Sequence, residues 1–134
     1  MNVVFEEIVS ELKSLVREAF RKREAEREIE EALFEDVEIK TEEEWKEYFH
    51  TEIPAVLRKL LRSAGLSCRL YHKKDDVPGP EYAANCVTRD GRRVAVGFDV
   101  DYDYDTGEIV LTYAHAWGDD EWTPSQLVHY HEVW

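Results

Sequence analysis

From Ser67 onward the apolar residues of this chain recur at every second position, and two turn signals cut that stretch into strands. Arg89-Asp90-Gly91-Arg92 carries an Asp-Gly pair suited to a two-residue type I′ hairpin, and Thr106-Gly107, between Asp105 and Glu108, makes a second turn. Together they predict a meander over residues 82–89, 92–105 and 108–117, with residues 67–73 as a fourth strand before the loop 74–80. In this register Val87 faces Val94, Phe98 faces His115, Val100 faces Tyr113 and Tyr102 faces Leu111. Val94, Val96, Phe98, Val100, Tyr102, Tyr104, Ile109, Leu111, Tyr113 and Trp117 then share the face that packs on helices.

The other face of the middle strand carries Asp99, Asp101, Asp103 and Asp105. Like charges at alternate strand positions stand about 6.8 Å apart, and each neighbouring pair repels by about 0.6 kcal/mol in water. No Lys or Arg follows Arg93, so the nine acids between Val94 and Trp134 lack a nearby cation in sequence. Such a ladder demands a counterion, a partner or abundant water.

The first half reads as helix. Phe5, Ile8, Leu12, Leu15 and Ala19 form one stripe at 3,4 spacing, which lapses over the charged stretch 21–28 and resumes at Ile29, Ala32, Leu33 and Phe34. That pattern predicts one long helix over 3–34 with a solvated waist, a surface through which two copies could pair. Thr41-Glu42-Glu43-Glu44 is a capping-box signature opening a second helix. Pro54 should kink or break that helix near residues 50–53, and Gly65 should stop it. The fold class is therefore α+β: one domain over 1–134, with two or three N-terminal helices (1–65) on one face of a four- or five-stranded, mostly antiparallel meander (66–134). The tail after Thr123-Pro124-Ser125-Gln126 starts like a helix but is rich in strand formers, and a final strand is preferred.

Composition narrows the function. With 134 residues, 30 acids against 17 bases and a net charge of −13, the chain repels nucleic acid and anionic membranes and attracts cations or basic proteins. Glu supplies 20 of the 30 acids and Asn plus Gln total three, a balance closer to thermophilic than to halophilic usage. No apolar run is long enough to span a membrane and the N-terminus lacks a signal-peptide pattern, so a cytoplasmic protein is expected. Cys68 and Cys86 fall opposite one another if residues 67–73 and 82–89 form a hairpin, either as reduced thiols or as a cross-strand disulfide.

Three constellations could carry function. The ladder with its turn, Asp99, Asp101, Asp103, Asp105 and Glu108, fits a protein-binding face for a basic surface, or a loose site for Ca²⁺ or Mg²⁺. It does not fit an EF-hand, because Thr106 and Thr112 stand where the Gly and the bidentate Glu belong. His129 and His131, on one side of a terminal strand, could join His115 in holding Zn²⁺, although His115 falls on the predicted core face, across the sheet from the aspartates. Trp117, Trp122, Tyr130 and Trp134 make either a small second core or a stacking surface. No nucleophile elbow, phosphate loop or Cys-x-x-Cys pair is present, and no catalytic residue is assigned. The leading expectation is a non-enzymatic acidic binder (an inhibitor, antitoxin-like partner or adaptor). The alternatives are a metal protein or small metal-dependent enzyme and a homo-oligomer.

Overall fold

The computed structural model describes residues 3–32, 43, 52–103 and 108–133. Helix α1 (Val3–Lys22) is followed at once by strand β1 (Glu24–Ala32), and helix α2 (Ile53–Ser63) leads into β2 (Ser67–Lys73). Then come β3 (Tyr82–Val87), β4 (Arg93–Asp103), β5 (Glu108–Gly118), a single 3₁₀ turn (Leu127–His129) and β6 (Tyr130–Val133). Among the described residues the strands form a six-stranded sheet in the order β1-β5-β4-β3-β2-β6, with every pairing antiparallel. The α+β class stands. The sheet has more strands than expected, and its first strand lies inside the part read as helical. Among the described residues no helix is long and apolar enough to cross a membrane.

Both helices lie on one face of the sheet. The expected stripe of α1 is its buried side: Ile8, Leu12, Leu15 and Ala19 are at most 1% exposed. They meet Ile53, Leu57, Leu60 and Leu61 of α2 and, from the sheet, Leu70, Tyr82, Val96, Phe98 and Leu111. Each such side chain contributes about 1.5–3 kcal/mol of apolar burial. Pro54 sits in the first turn of α2, where its missing N–H costs nothing. At the other end Gly65 N–H donates to Arg62 O (2.9 Å) and Leu66 N–H to Leu61 O (3.0 Å), the paired bonds of a Schellman stop. The Thr41–Glu44 box and the expected kink near residues 50–53 fall, wholly or largely, outside the described residues.

The long first helix is overturned. It ends at Lys22, Arg23 turns the chain with φ +66°, and residues 24–32 pair with β5. As a helix, residues 21–28 would bury almost nothing. As a strand, residues 24–32 turn Ala25 and Ile29 into the core (7% and 2% exposed) and Glu24, Glu26 and Glu28 out. Arg27 reaches back to Glu18 of α1 (3.2 Å) and ties the two elements together. The solvated helical waist is therefore not formed over residues 21–28.

Two hairpin registers also differ from expectation. Thr88 N–H donates to Arg92 O (2.8 Å), so the first loop holds Arg89, Asp90 and Gly91. Its last residue, at φ +85°, adopts the left-handed conformation that a three-residue hairpin requires. Val87 consequently faces Arg93, and Val94 faces Cys86. In the second hairpin Asp103 faces Glu108, Tyr102 faces Ile109 and Val100 faces Leu111. The register then shifts, so that Asp99 faces Tyr113 and Phe98 faces Ala114, leaving Thr112 as the extra residue of a bulge. The parity of β4 is as expected, but that of β5 inverts beyond the bulge. Ala114 and Ala116 are fully buried on the helix side, and Tyr113, His115 and Trp117 fall on the other face. Residues 67–73 form β2 as expected, Cys68 faces Cys86, and the two are joined by a disulfide.

Candidate functional site

The face of β1, β5 and β4 turned away from α1 and α2 is built from three neighbouring rows. On β1 stand Glu24, Glu26 and Glu28; opposite them on β5 stand Trp117, His115 and Tyr113; beyond those, Ala95, Gly97 and Asp99 of β4 complete the pairs. Asp101 continues the β4 row past the bulge and is exposed. Strand spacing puts the β1 and β4 acids about 10 Å apart on either side of the aromatic row. At that distance the two acidic rows act together in dilute buffer and are screened from each other in salt.

Side-chain contacts order this surface along the β5 row. The His115 ring stacks on Trp117 (centroids 4.0 Å apart, planes at 19°) and meets Tyr113 edge-on at 5.7 Å. Trp117 in turn meets Trp122 edge-on at 5.0 Å. Each polar tip on β5 bonds the glutamate diagonal to it: His115 Nε2 lies 2.7 Å from Glu24, and the Tyr113 hydroxyl donates to Glu26. The offset follows the twist of the sheet. Burial first, then the bond to Glu26 and the charges of Glu26, Glu24 and Asp99, push the Tyr113 hydroxyl up to about 12. Glu28 and Asp101 bond no side chain among the described residues.

Next to this surface the chain covers itself. Trp122 lies over Gly97, where an added Cβ would come within 3.5 Å of its ring and about 3.0 Å of Pro80. Its indole N–H donates to Val96 O (3.1 Å), and its backbone exchanges two bonds with the Asn85 amide (2.6 and 3.1 Å). Between Trp117, Trp122 and Ala95 lies a cleft of about 550 Å³, rimmed by Asp120 and Glu121. Further across, the Tyr130 hydroxyl donates to Pro80 O (2.7 Å), and its pKa rises to about 12 through burial and the charges of Glu81 and Asp99.

The expected site residues are distributed as follows. Asp99 and Asp101 occupy the open face; Asp99 also accepts the Glu81 backbone N–H at 3.3 Å. Asp103 and Glu108 are cross-strand partners at the end of the described hairpin, and Asp105 lies outside the described residues. The three histidines do not converge. His115 is on β5, four strand steps or about 19 Å from β6. His131 faces His72 across the β2–β6 pair, while His129 sits in the 3₁₀ turn and bonds Asp75 at 2.9 Å. Among the described residues no three His, Cys, Asp or Glu side chains gather to hold a metal ion. The separation of His115 from the aspartates is corrected as well: the β5 bulge turns it onto their face.

The sequence reading missed the β1 acids and the outward aromatics. Both left a trace. Glutamate occupies each of positions 24, 26, 28 and 30, a period of two, and Ala114, Ala116 and Gly118 mark the side of β5 over which a helix can pack closely. Compared with protein-family models, curated proteins and solved structures, the chain matches none.

Proposed function

We propose that this chain is a non-catalytic binding protein that receives a basic protein surface on the open face of β1, β5 and β4. The observation that carries the reading is the layout of that face, an aromatic row of Tyr113, His115 and Trp117 between Glu24, Glu26 and Glu28 on one side and Asp99 and Asp101 on the other. Tyr and Trp supply rigid contact area at protein interfaces, and flanking charge of one sign selects and steers a partner of the other. Arginine suits this surface better than lysine. Its flat guanidinium stacks on an aromatic ring while its N–H groups reach a neighbouring carboxylate, and here rings and carboxylates alternate strand by strand. Asp103, Asp105 and Glu108 extend the acidic character along the β4–β5 hairpin in sequence.

The test compares two peptides of equal charge, one rich in Arg and one rich in Lys, on the immobilised protein at rising salt. The expected result is tighter binding of the Arg peptide, a steep loss with salt, and a several-fold weakening in the double variant Glu28→Gln, Asp101→Asn. Equal affinity of that variant and the unaltered protein would sink the proposal. Neither replaced group holds a bond to another side chain within the described fold, so the variant should remain folded.

A further inference from the structure

On the opposite side of the molecule the sign of the charge reverses. A groove of about 590 Å³ lies between α1, the end of α2 and the β3–β4 hairpin. Lys13, Arg17, Arg21, Arg89 and Arg92 line it, against a single carboxylate, Asp90. In a chain with almost two acids per base, five of the 17 cations gather here with one of the 30 acids. Lys13, Arg17 and Arg21 follow at four-residue intervals, so they share one side of α1 at about 6 Å per step, where like charges repel. All three are exposed, and no carboxylate pairs with them or with Arg89 among the described residues. The negative end of the α1 dipole accounts for cations in its last turn, such as Arg21. It does not account for Arg17 and Lys13, one and two turns earlier, or for cations arriving from a hairpin.

The groove is also partly organised. Arg92 is held by Asp119 through two bonds (2.6 and 3.2 Å) and lies 3.9 Å over the Phe20 ring. Asp90 accepts the Thr88 hydroxyl and keeps its charge, so the unpaired cations Lys13, Arg17, Arg21 and Arg89 outnumber it four to one. Val16, Phe20 and Leu66 supply an apolar floor beneath the cations. Four uncommitted cations at the rim of a concave, partly apolar cavity suit a compact anion with several charges joined to an apolar or aromatic group. Duplex nucleic acid does not fit, because it would meet the remainder of a strongly acidic surface.

We infer that this groove binds a phosphate-bearing small molecule of nucleotide size, its phosphates held by Lys13, Arg17, Arg21 and Arg89 and its apolar part resting on Val16, Phe20 and Leu66. The test is calorimetric titration with ADP and with inorganic pyrophosphate at low ionic strength. The proteins are the unaltered chain, the double variant Arg17→Ala, Arg21→Ala, and the distant control Lys74→Ala. Alanine at exposed helical positions preserves the helix, and thermal melting of each variant verifies that. The expected result is saturable ADP binding, tighter than pyrophosphate, weakened about tenfold or more in the double variant as lost charge-assisted bonds require, and unchanged in the control. Absence of saturable ADP binding, full affinity in the double variant, or an equal loss in the control would each overturn the inference. Pyrophosphate binding as tightly as ADP would overturn the role given to the apolar floor.

Discussion

On the sheet face turned away from the helices, the region around β3 and the first half of β4 is closed by the chain's own loops, while β1, β5 and the Asp99–Asp101 end of β4 are left uncovered among the described residues. Trp122 illustrates the first: its indole N–H, its backbone N–H and its carbonyl all find partners within the fold. Trp117, a strand away, stacks on His115 and touches Trp122 edge-on, with one side toward the cleft. Polar groups differ in the same way. In the closed region the Asn85 amide exchanges two bonds with the Trp122 backbone and the Tyr130 hydroxyl donates to Pro80 O at 2.7 Å, whereas on the open face Glu28 and Asp101 bond no other side chain among the described residues. Where a chain folds over its own sheet it must satisfy the polar atoms it covers. Where it leaves carboxylates and large rings together at the surface, they stand available for the contact proposed above.

If this contrast is right, mutations should separate stability from binding. The largest loss of stability is expected beneath the closed region, on the helix side of the sheet, from opening the Cys68–Cys86 link between β2 and β3. Cross-linking residues separated by 18 positions restricts the unfolded chain by about 3 kcal/mol. Urea unfolding of the Cys68→Ala, Cys86→Ala variant should show a drop of that size, and an unchanged midpoint would contradict it. Next, Trp122→Ala should cost about 2–3 kcal/mol, below the value for a fully buried Trp because its ring is half-buried. Trp117→Ala should cost under about 1 kcal/mol in the same assay yet weaken the Arg-rich peptide. If the two tryptophans exchange these roles, the division of the face collapses.

Smaller effects sharpen the picture. Glu28→Gln with Asp101→Asn relieves repulsion without breaking a bond, so stability should stay level or rise by up to about 0.5 kcal/mol while peptide binding falls. A clear destabilisation would mean that these carboxylates serve the fold. The smallest signal is the ionisation of Tyr113. Its pKa is raised, so the contribution to stability is present below the ordinary value near 10 and is lost as pH climbs through about 12. The ultraviolet difference titration between the unaltered protein and Tyr113→Phe should place that step near pH 12. A step near 10 would mean that neither burial nor the bond to Glu26 holds the phenol.

Much of this layout is legible in the sequence, though unevenly. The buried stripe of α1, the stop at Gly65, strand β2 with Cys68 opposite Cys86, and the outward Asp99 and Asp101 all follow from one clear period and its punctuation. Strand β1 was hidden because Glu, Ala and Arg are strong helix formers, and Ala25 with Ile29 fits either period, being four apart. Pairing with β5, a contact distant in sequence, decided between them. The inversion of β5 was hidden by a single extra residue, Thr112, whose type does not announce a bulge. A register slip of one residue carries every following side chain to the other face. It brought His115 beside the acids and exchanged three large aromatics for Ala114 and Ala116 under the helices.

The most direct test of the open face as a docking surface is amide chemical-shift mapping of the isotope-labelled protein during titration with the Arg-rich peptide. The account predicts shifts confined to β1, β5 and the adjoining part of β4, strongest around Glu26, Glu28, Tyr113, His115 and Asp101, and reversed by added salt. Shifts spread evenly over the acidic surface, or centred on β2 and β6, would contradict it.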